Sequence, residues 1–255
     1  MTAQCLIPDW PAPAAVHALV TTRSGGHSAA PYAGLNLATH VGDDPMIVRC
    51  NRQCLRRGIR PLPTDPLWLR QVHGTQVLVG EDYRERTDAD ACIARTPNLV
   101  CAVLSADCLP LLLCAEDASV IGAVHAGWRG LSAGVVEACV AAMAIPPASL
   151  LAWLGPAIGP QAYQVGDDVR TVFCEHDRAA EGAFLPDQRG KWLCDLYLLA
   201  RQRLAALGVM RVSGGEWCTF SDPQRFYSHR RDGVTGRMAS CIWLDPAGTG
   251  EGLPV

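Results

Sequence analysis

The chain runs to 255 residues with a formal net charge of −3 and 18% charged side chains. At that length one core buries roughly 70 to 75% of the unfolded surface, so neither disulfides nor a structural metal are required for stability. No run of Lys and Arg exceeds two residues and no apolar stretch reaches roughly 18 residues, which argues against an extended nucleic-acid surface and against a membrane span.

In chain order, a strand over 19–22 runs into the glycine turn Arg23-Ser24-Gly25-Gly26, and an apolar run over 35–38 follows a second loop of small residues. A helix is predicted over 43–57, capped by Asp43 or Asp44, with Pro45 in its first turn and Gly58 past its end. Extended runs over 67–72 and 75–79 flank His73, which places that histidine in or beside a bend. The runs over 98–105, 109–114 and 120–125 are rich in Val, Leu and Ile with little alternation, the pattern of strands buried on both faces. A helix over 132–143 follows Gly127-Trp128-Arg129-Gly130, and a strand over 150–154 leads into a loop that begins Gly155-Pro156. Helices are expected over 167–175 and 193–207, the second stopped by Gly208. Strands over 210–213, 225–228 and 238–244 complete the pattern. No linker or composition shift divides the chain, so the expectation is one α+β domain over 1–245, mixed sheets with flanking helices, followed by a mobile tail over 246–255.

Twelve cysteines are scattered through the chain with no secretory leader in front of them, which points to reduced thiols in the cytoplasm. Cys50 and Cys54 lie one helical turn apart, but no second pair has zinc-finger spacing, and they read as ordinary thiols. His73, Cys108 and His125 stand out instead. Each ends an apolar run or opens a turn, where ligand-bearing loops sit on a rigid sheet. Two imidazoles and one thiolate suit zinc and leave the fourth tetrahedral position to water or substrate. Zinc would lower the pKa of a bound water to about 7 or polarise a substrate oxygen. Without metal, Cys108 beside His125 would form a nucleophile and base pair. The spacing leaves both mechanisms open, and also a purely structural zinc site, which would have a fourth protein ligand and no adjoining cavity.

Arg129 stands just before the helix expected over 132–143 and offers either a fixed fork for phosphate, carboxylate or a sugar hydroxyl, or a surface salt bridge. Arg23, beside Gly25 and Gly26, poses the same choice. The segment from Arg225 to Arg237 gathers four arginines and His229 around Phe226 and Tyr227, a composition suited to a heterocycle carrying ribose or phosphate. Trp128 reads as a packing anchor.

Taken together, TTRSGG from Thr21, GLNLATHVGDD from Gly34, QVHG from Gln71, SADCLPLLL from Ser105, VHAGWRG from Val124, GPAIGP from Gly155 and FYSHRRDGVTGR from Phe226 resemble the multicopper polyphenol oxidase, or laccase-domain, family. The same family is described as purine nucleoside phosphorylase and as peptidoglycan editing factor. The blocks stand in family order and cover nearly the whole chain. The resemblance implies mixed sheets layered between helices and a zinc ion, rather than copper, held by His73, Cys108 and His125. It implies phosphorolysis of adenosine, inosine, guanosine and methylthioadenosine, with adenosine deamination in the same pocket. Cys108, His125 and Arg129 become the catalytic candidates, and Arg23, Asn36, Arg129, Arg230 and Arg231 the substrate-binding ones. The partners implied are a small-molecule nucleoside and phosphate, with no nucleic acid and no membrane; no sequence signal bears on oligomeric state. Two departures stand against this pattern. Gln161 and Ala162 replace cysteines paired in many relatives, and Gln164 replaces a common glutamate, which removes a carboxylate near the pocket.

A copper oxidase with blue and trinuclear sites needs many more imidazoles than a single blue site, and this chain has seven histidines and no His-x-His pair. The histidine and cysteine signature of the zinc base deaminases is absent too, so deamination here would use another layout. The competing enzyme reading is amide hydrolysis, in which Cys108 or zinc hydroxide removes wrongly incorporated L-serine from a UDP-linked muramyl precursor.

Overall fold

The computed structural model describes residues 4–58, 61–85, 87–188 and 190–246, and its backbone is organised around two large mixed sheets. The first has five strands in the order β1 (Cys5–Leu6), β2 (Val16–Thr21), β14 (Met238–Leu244), β6 (Cys101–Ser105) and β3 (Leu67–Trp68). Its pairs are antiparallel except β3 with β6. The second has six strands in the order β13 (Arg211–Gly214), β9 (Leu150–Leu154), β7 (Leu109–Ala115), β8 (Ile121–Ala126), β5 (Ala91–Ala94) and β4 (Val77–Val79). Here the outer pairs, β13 with β9 and β4 with β5, are parallel and the inner ones antiparallel. A small antiparallel sheet joins β10 (Gln164–Val165), β12 (Lys191–Cys194) and β11 (Phe184–Asp187).

Side chains alternate across a strand, and β7 shows what the alternation does here. Leu109, Leu111 and Leu113 enter an apolar cluster with Val136, Val140 and Leu199, while Leu112 and Cys114 enter a second cluster with Val103, Trp153 and Ile242. The second cluster lies between the two sheets, and the first lies between the six-stranded sheet and a helical layer. That layer includes α3 (Val135–Met143), α4 (Asp167–His176) and α5 (Leu196–Leu207). A third cluster, including Leu19, Ala102 and Trp243, packs Leu55 of α1 (Pro45–Arg56) on the outer face of the five-stranded sheet. The expected single domain of mixed sheets between helices is therefore what the chain forms, and β6, β7 and β8 are buried on both sides.

Local signals hold where side-chain chemistry is unambiguous. Asp44 caps α1 by accepting from Met46 N at 2.8 Å, with Pro45 in the first turn. Elsewhere the elements differ from the pattern. The helix expected over 132–143 is two, α2 (Trp128–Ala133) and α3, broken by Gly134 at φ 100°, a left-handed conformation that favours glycine. The helix expected from 193 starts at Leu196, because Asp195 caps it and the residues before are strand β12. The strand expected over 225–228 is absent. Phe226 N donates to Asp222 O, Tyr227 N to the Met238 sulfur and Arg23 N to Arg225 O, so turn contacts take the backbone groups a ladder would use. Ser228 then caps the short helix α6 (His229–Asp232).

The expected tail, beyond Pro246, lies outside the described residues. None of the twelve cysteines is disulfide-bonded. Among the described residues no helix is long and apolar enough to cross a membrane.

Candidate active site

The chain passes from the five-stranded to the six-stranded sheet twice, between β3 and β4 and between β6 and β7. His73 lies on the first crossing and Cys108 on the second, while His125 lies near the end of β8. The three ligand atoms they offer all lie within 4.8 Å of one another. Cys108 Sγ is 3.9 Å from His73 Nε2, and the two imidazole rings meet edge to face with centroids 4.8 Å apart.

Asp90, fully buried just before β5, builds this arrangement. Its carboxylate accepts from the backbone N–H of Val72 at 3.1 Å, His73 at 2.9 Å and Gly74 at 2.7 Å. Those bonds hold His73 in the left-handed region at φ 60°, a conformation that a non-glycine residue keeps only when its surroundings impose it. The same carboxylate accepts from His125 Nδ1 at 2.8 Å, which leaves Nε2 free for a ligand. Burial alone would favour the neutral acid, yet the bonds from His125, Gly74 and Val72 hold the Asp90 carboxyl below its ordinary range. On the other side, Gln71 exchanges two amide bonds with the Leu104 backbone, fixing the first crossing to β6.

Asp107 plays the matching part for Cys108. It sits at φ 92°, accepts from Thr219 Oγ1 and from Arg230 N, both at 2.6 Å, and its carbonyl accepts from Ile158 N. Gly127 closes the cluster: a Cβ there would lie 2.9 Å from Cys108 Sγ and 3.1 Å from His73 Cδ2, so only glycine leaves room.

The electrostatics follow from this geometry. Burial pushes the Cys108 thiol up, but His125 and His73 outweigh it and bring the pKa down to about 6. Burial pushes His125 down, and Cys108 with Asp90 raises it to about 9. Without metal these shifts favour a thiolate and imidazolium pair between about pH 6 and 9. The donor set, two nitrogens and a sulfur with a carboxylate behind one histidine, could hold a metal ion.

The cluster lines a cavity of about 480 Å³, and no fourth cysteine, histidine or carboxylate joins it among the described residues. Arg129 and Arg230 reach this cavity, as do Trp128 and Tyr163. The Arg129 guanidinium stacks on Trp128 at 4.4 Å, and that of Arg230 lies 5.1 Å over Tyr163 while donating to Gln164 O. The other sequence candidates lie off the cavity. Arg23 stacks on Tyr227 and donates to Pro223 O. Asn36 is fully buried, bridging Ala38, Asp43 and Arg237. Arg231 donates to the carbonyls of Thr219, Phe220 and Phe226 and pairs with Asp232.

Sequence reasoning did not single out Asp90, His40, Tyr163 or, as a cavity residue, Arg237. His40 and Arg237 also line the cavity, and burial with Arg237 nearby lowers the His40 pKa. Both stand in conspicuous motif blocks, so a signal existed for them. Asp90 stands among alanines and threonine, with none.

A family model described as multi-copper polyphenol oxidoreductase laccase matches residues 17–245. The chain is 51% identical to a purine nucleoside phosphorylase of Pseudomonas aeruginosa, covering 94% of this chain and 98% of that one. It is 50% identical to purine nucleoside phosphorylase YfiH of Escherichia coli with the same coverage. Among solved structures, a protein of Neisseria meningitidis superposes with a TM-score of 0.92 at 46% identity, over 95% of this chain and 99% of that one. YlmD of Geobacillus stearothermophilus gives 0.81 at 30% identity, over 95% of this chain and all of that one. The chain thus belongs to the family of the multi-copper polyphenol oxidoreductase laccase model, the laccase-domain proteins whose members include YfiH.

Proposed function

We propose that the cavity is the active site of a cytoplasmic, zinc-dependent purine nucleoside phosphorylase acting on adenosine, inosine, guanosine and methylthioadenosine, with adenosine deamination as a second activity. The observation that carries this reading is a His73, Cys108 and His125 cluster left open on a cavity that also presents free arginine charge and aromatic faces. The names of the relatives support it. Held by these three residues, zinc would supply Lewis-acid stabilisation of developing negative charge. The chain's own groups do the rest.

Asp90 orients His125 and the His73 loop, so the cluster needs little reorganisation when substrate arrives. Arg129 has no ion-pair partner among the described residues, and its fork is available to phosphate. Arg230, anchored at Gln164 O, adds a second cation at the wall. Trp128 and Tyr163 offer faces to a purine. Burial raises the Tyr163 pKa, so its hydroxyl stays protonated and can donate to the base or sugar. Phosphate attack on the anomeric carbon of a nucleoside then forms the new C–O bond as the bond to the purine breaks. Zinc-loaded protein given adenosine and phosphate is expected to release adenine and ribose 1-phosphate; no adenine release would overturn the reading.

The thiolate and imidazolium pair favours one competing reading, nucleophilic hydrolysis of an amide, with a muramyl precursor carrying L-serine as substrate. Release of L-serine without phosphate would support that route. The copper oxidase reading meets a ligand shortage: among the described residues only this one cluster gathers three metal-binding side chains.

A further inference from the structure

A second groove, of about 290 Å³, shares a wall with the cavity: Trp128, Tyr163 and Arg230 line both. Its outer part is made by Gln164, Gly166, Asp168 and Lys191. The pairing of β10 with β12 sets Val165 against Trp192, which brings Lys191 to the end of this small sheet beside Gly166, the residue that caps α4. A Cβ on Gly166 would meet the Asp168 carboxylate and lie 3.7 Å from Lys191 Nζ, so both charges stand at the N-terminal end of that helix, where no side chain caps it. Lys191 is the chain's single lysine, is exposed, and pairs with no carboxylate among the described residues. Asp168 is the one carboxylate on the groove, against the two cations Lys191 and Arg230.

A cavity that continues past its own aromatic wall into a groove lined by two cations and one carboxylate suits a ligand with an anionic part. We propose that this groove is an accessory anion subsite of the active cavity, taking a phosphate or carboxylate group through Lys191 and Arg230. Lys191 supplies a mobile point charge and Arg230 a fixed fork, the two common ways proteins hold such groups. The proposal rests on the reading that the neighbouring cavity is the reaction site. It adds that the ligand extends beyond a bare nucleoside.

Because there is one lysine, a lysine-selective acylating reagent followed by peptide mapping reads this position separately from the chain's amino terminus. The zinc-loaded protein is acylated with no addition, with adenosine, with adenosine 5′-monophosphate and with inorganic phosphate. Protection of Lys191 by the nucleotide alone assigns the anion to the substrate. Protection by inorganic phosphate as well assigns it to free phosphate. No protection by either overturns the subsite. Calorimetric titration of Lys191→Gln is expected to lose about tenfold in affinity for whichever anion protects, the usual worth of a charged hydrogen bond; unchanged affinity overturns it too. Both readouts measure binding, so failure of phosphorolysis and failure of the subsite are told apart.

Discussion

Two populations of cysteine share this fold and behave oppositely. For Cys114 and Cys139, on the faces of the six-stranded sheet and its helical cover, burial is the largest influence and raises both, Cys114 to about 12 against an opposing pull from Arg211. Cys108 is brought down to about 6 against the same penalty. The difference is position. Side chains in mid-strand meet Leu, Ile and Val, whereas Cys108 sits where the chain changes sheets and two imidazoles arrive from other crossings and strand ends. The core makes thiols inert, and the seam between sheets makes one reactive.

The contrast breaks most completely at the sulfur itself. Cys108→Ala is expected to lower kcat/KM by about a thousandfold or more, as several kcal/mol of charge stabilisation is lost, with zinc content falling alongside. Cys139→Ala is expected to lower stability and leave the zinc content intact. If Cys108→Ala loses stability but not turnover, the site is structural. Asp90→Asn is expected to weaken zinc binding or activity about 10- to 100-fold, measured by chelator competition and by turnover, because the carboxylate behind His125 loses its charge. Gly127→Ala forces a methyl against Cys108 and His73 and should cost about 1 to 3 kcal/mol in denaturant unfolding. Arg129→Ala is expected to raise KM for phosphate about tenfold with little change in stability.

The smallest effect sharpens the contrast most. In metal-free protein, alkylation of Cys108 should be half-maximal at about pH 6, since its thiolate persists above that pH and is lost as pH falls through it. Cys139 should stay unlabelled throughout. The charged pair also sets a window: below about 6 the thiolate is protonated, and above about 9 the His125 imidazolium gives up its proton. Alkylation of Cys108 that begins only near pH 8.5, the value of an ordinary thiol, would refute the pairing.

Long apolar runs announced β6 to β9 and β14, because strands buried on two faces carry few polar residues to confuse the pattern. The short β3 and β4 fell within expected extended runs and β13 overlapped one, but β1, β5 and the strands of the small sheet stayed hidden. β5 is four residues with a single branched side chain, Ile93, and its placement comes from neighbours on both sides rather than from propensity. The metal candidates were legible as residue types at strand ends. Their convergence was not, since it depends on which sheet each crossing joins. Asp90 illustrates the limit: its role lies in four hydrogen bonds to distant residues, none visible in the local sequence. Arg231 illustrates the converse, a charge in a suggestive motif whose guanidinium is occupied by backbone carbonyls.

That one buried carboxylate fastens both the His125 imidazole and the backbone of His73 makes the two positions mechanically dependent on each other. Where each ligand has its own brace, affinity for the ion can be adjusted in small independent steps. Here the two histidines share one brace, so a change at Asp90 disturbs both positions at once.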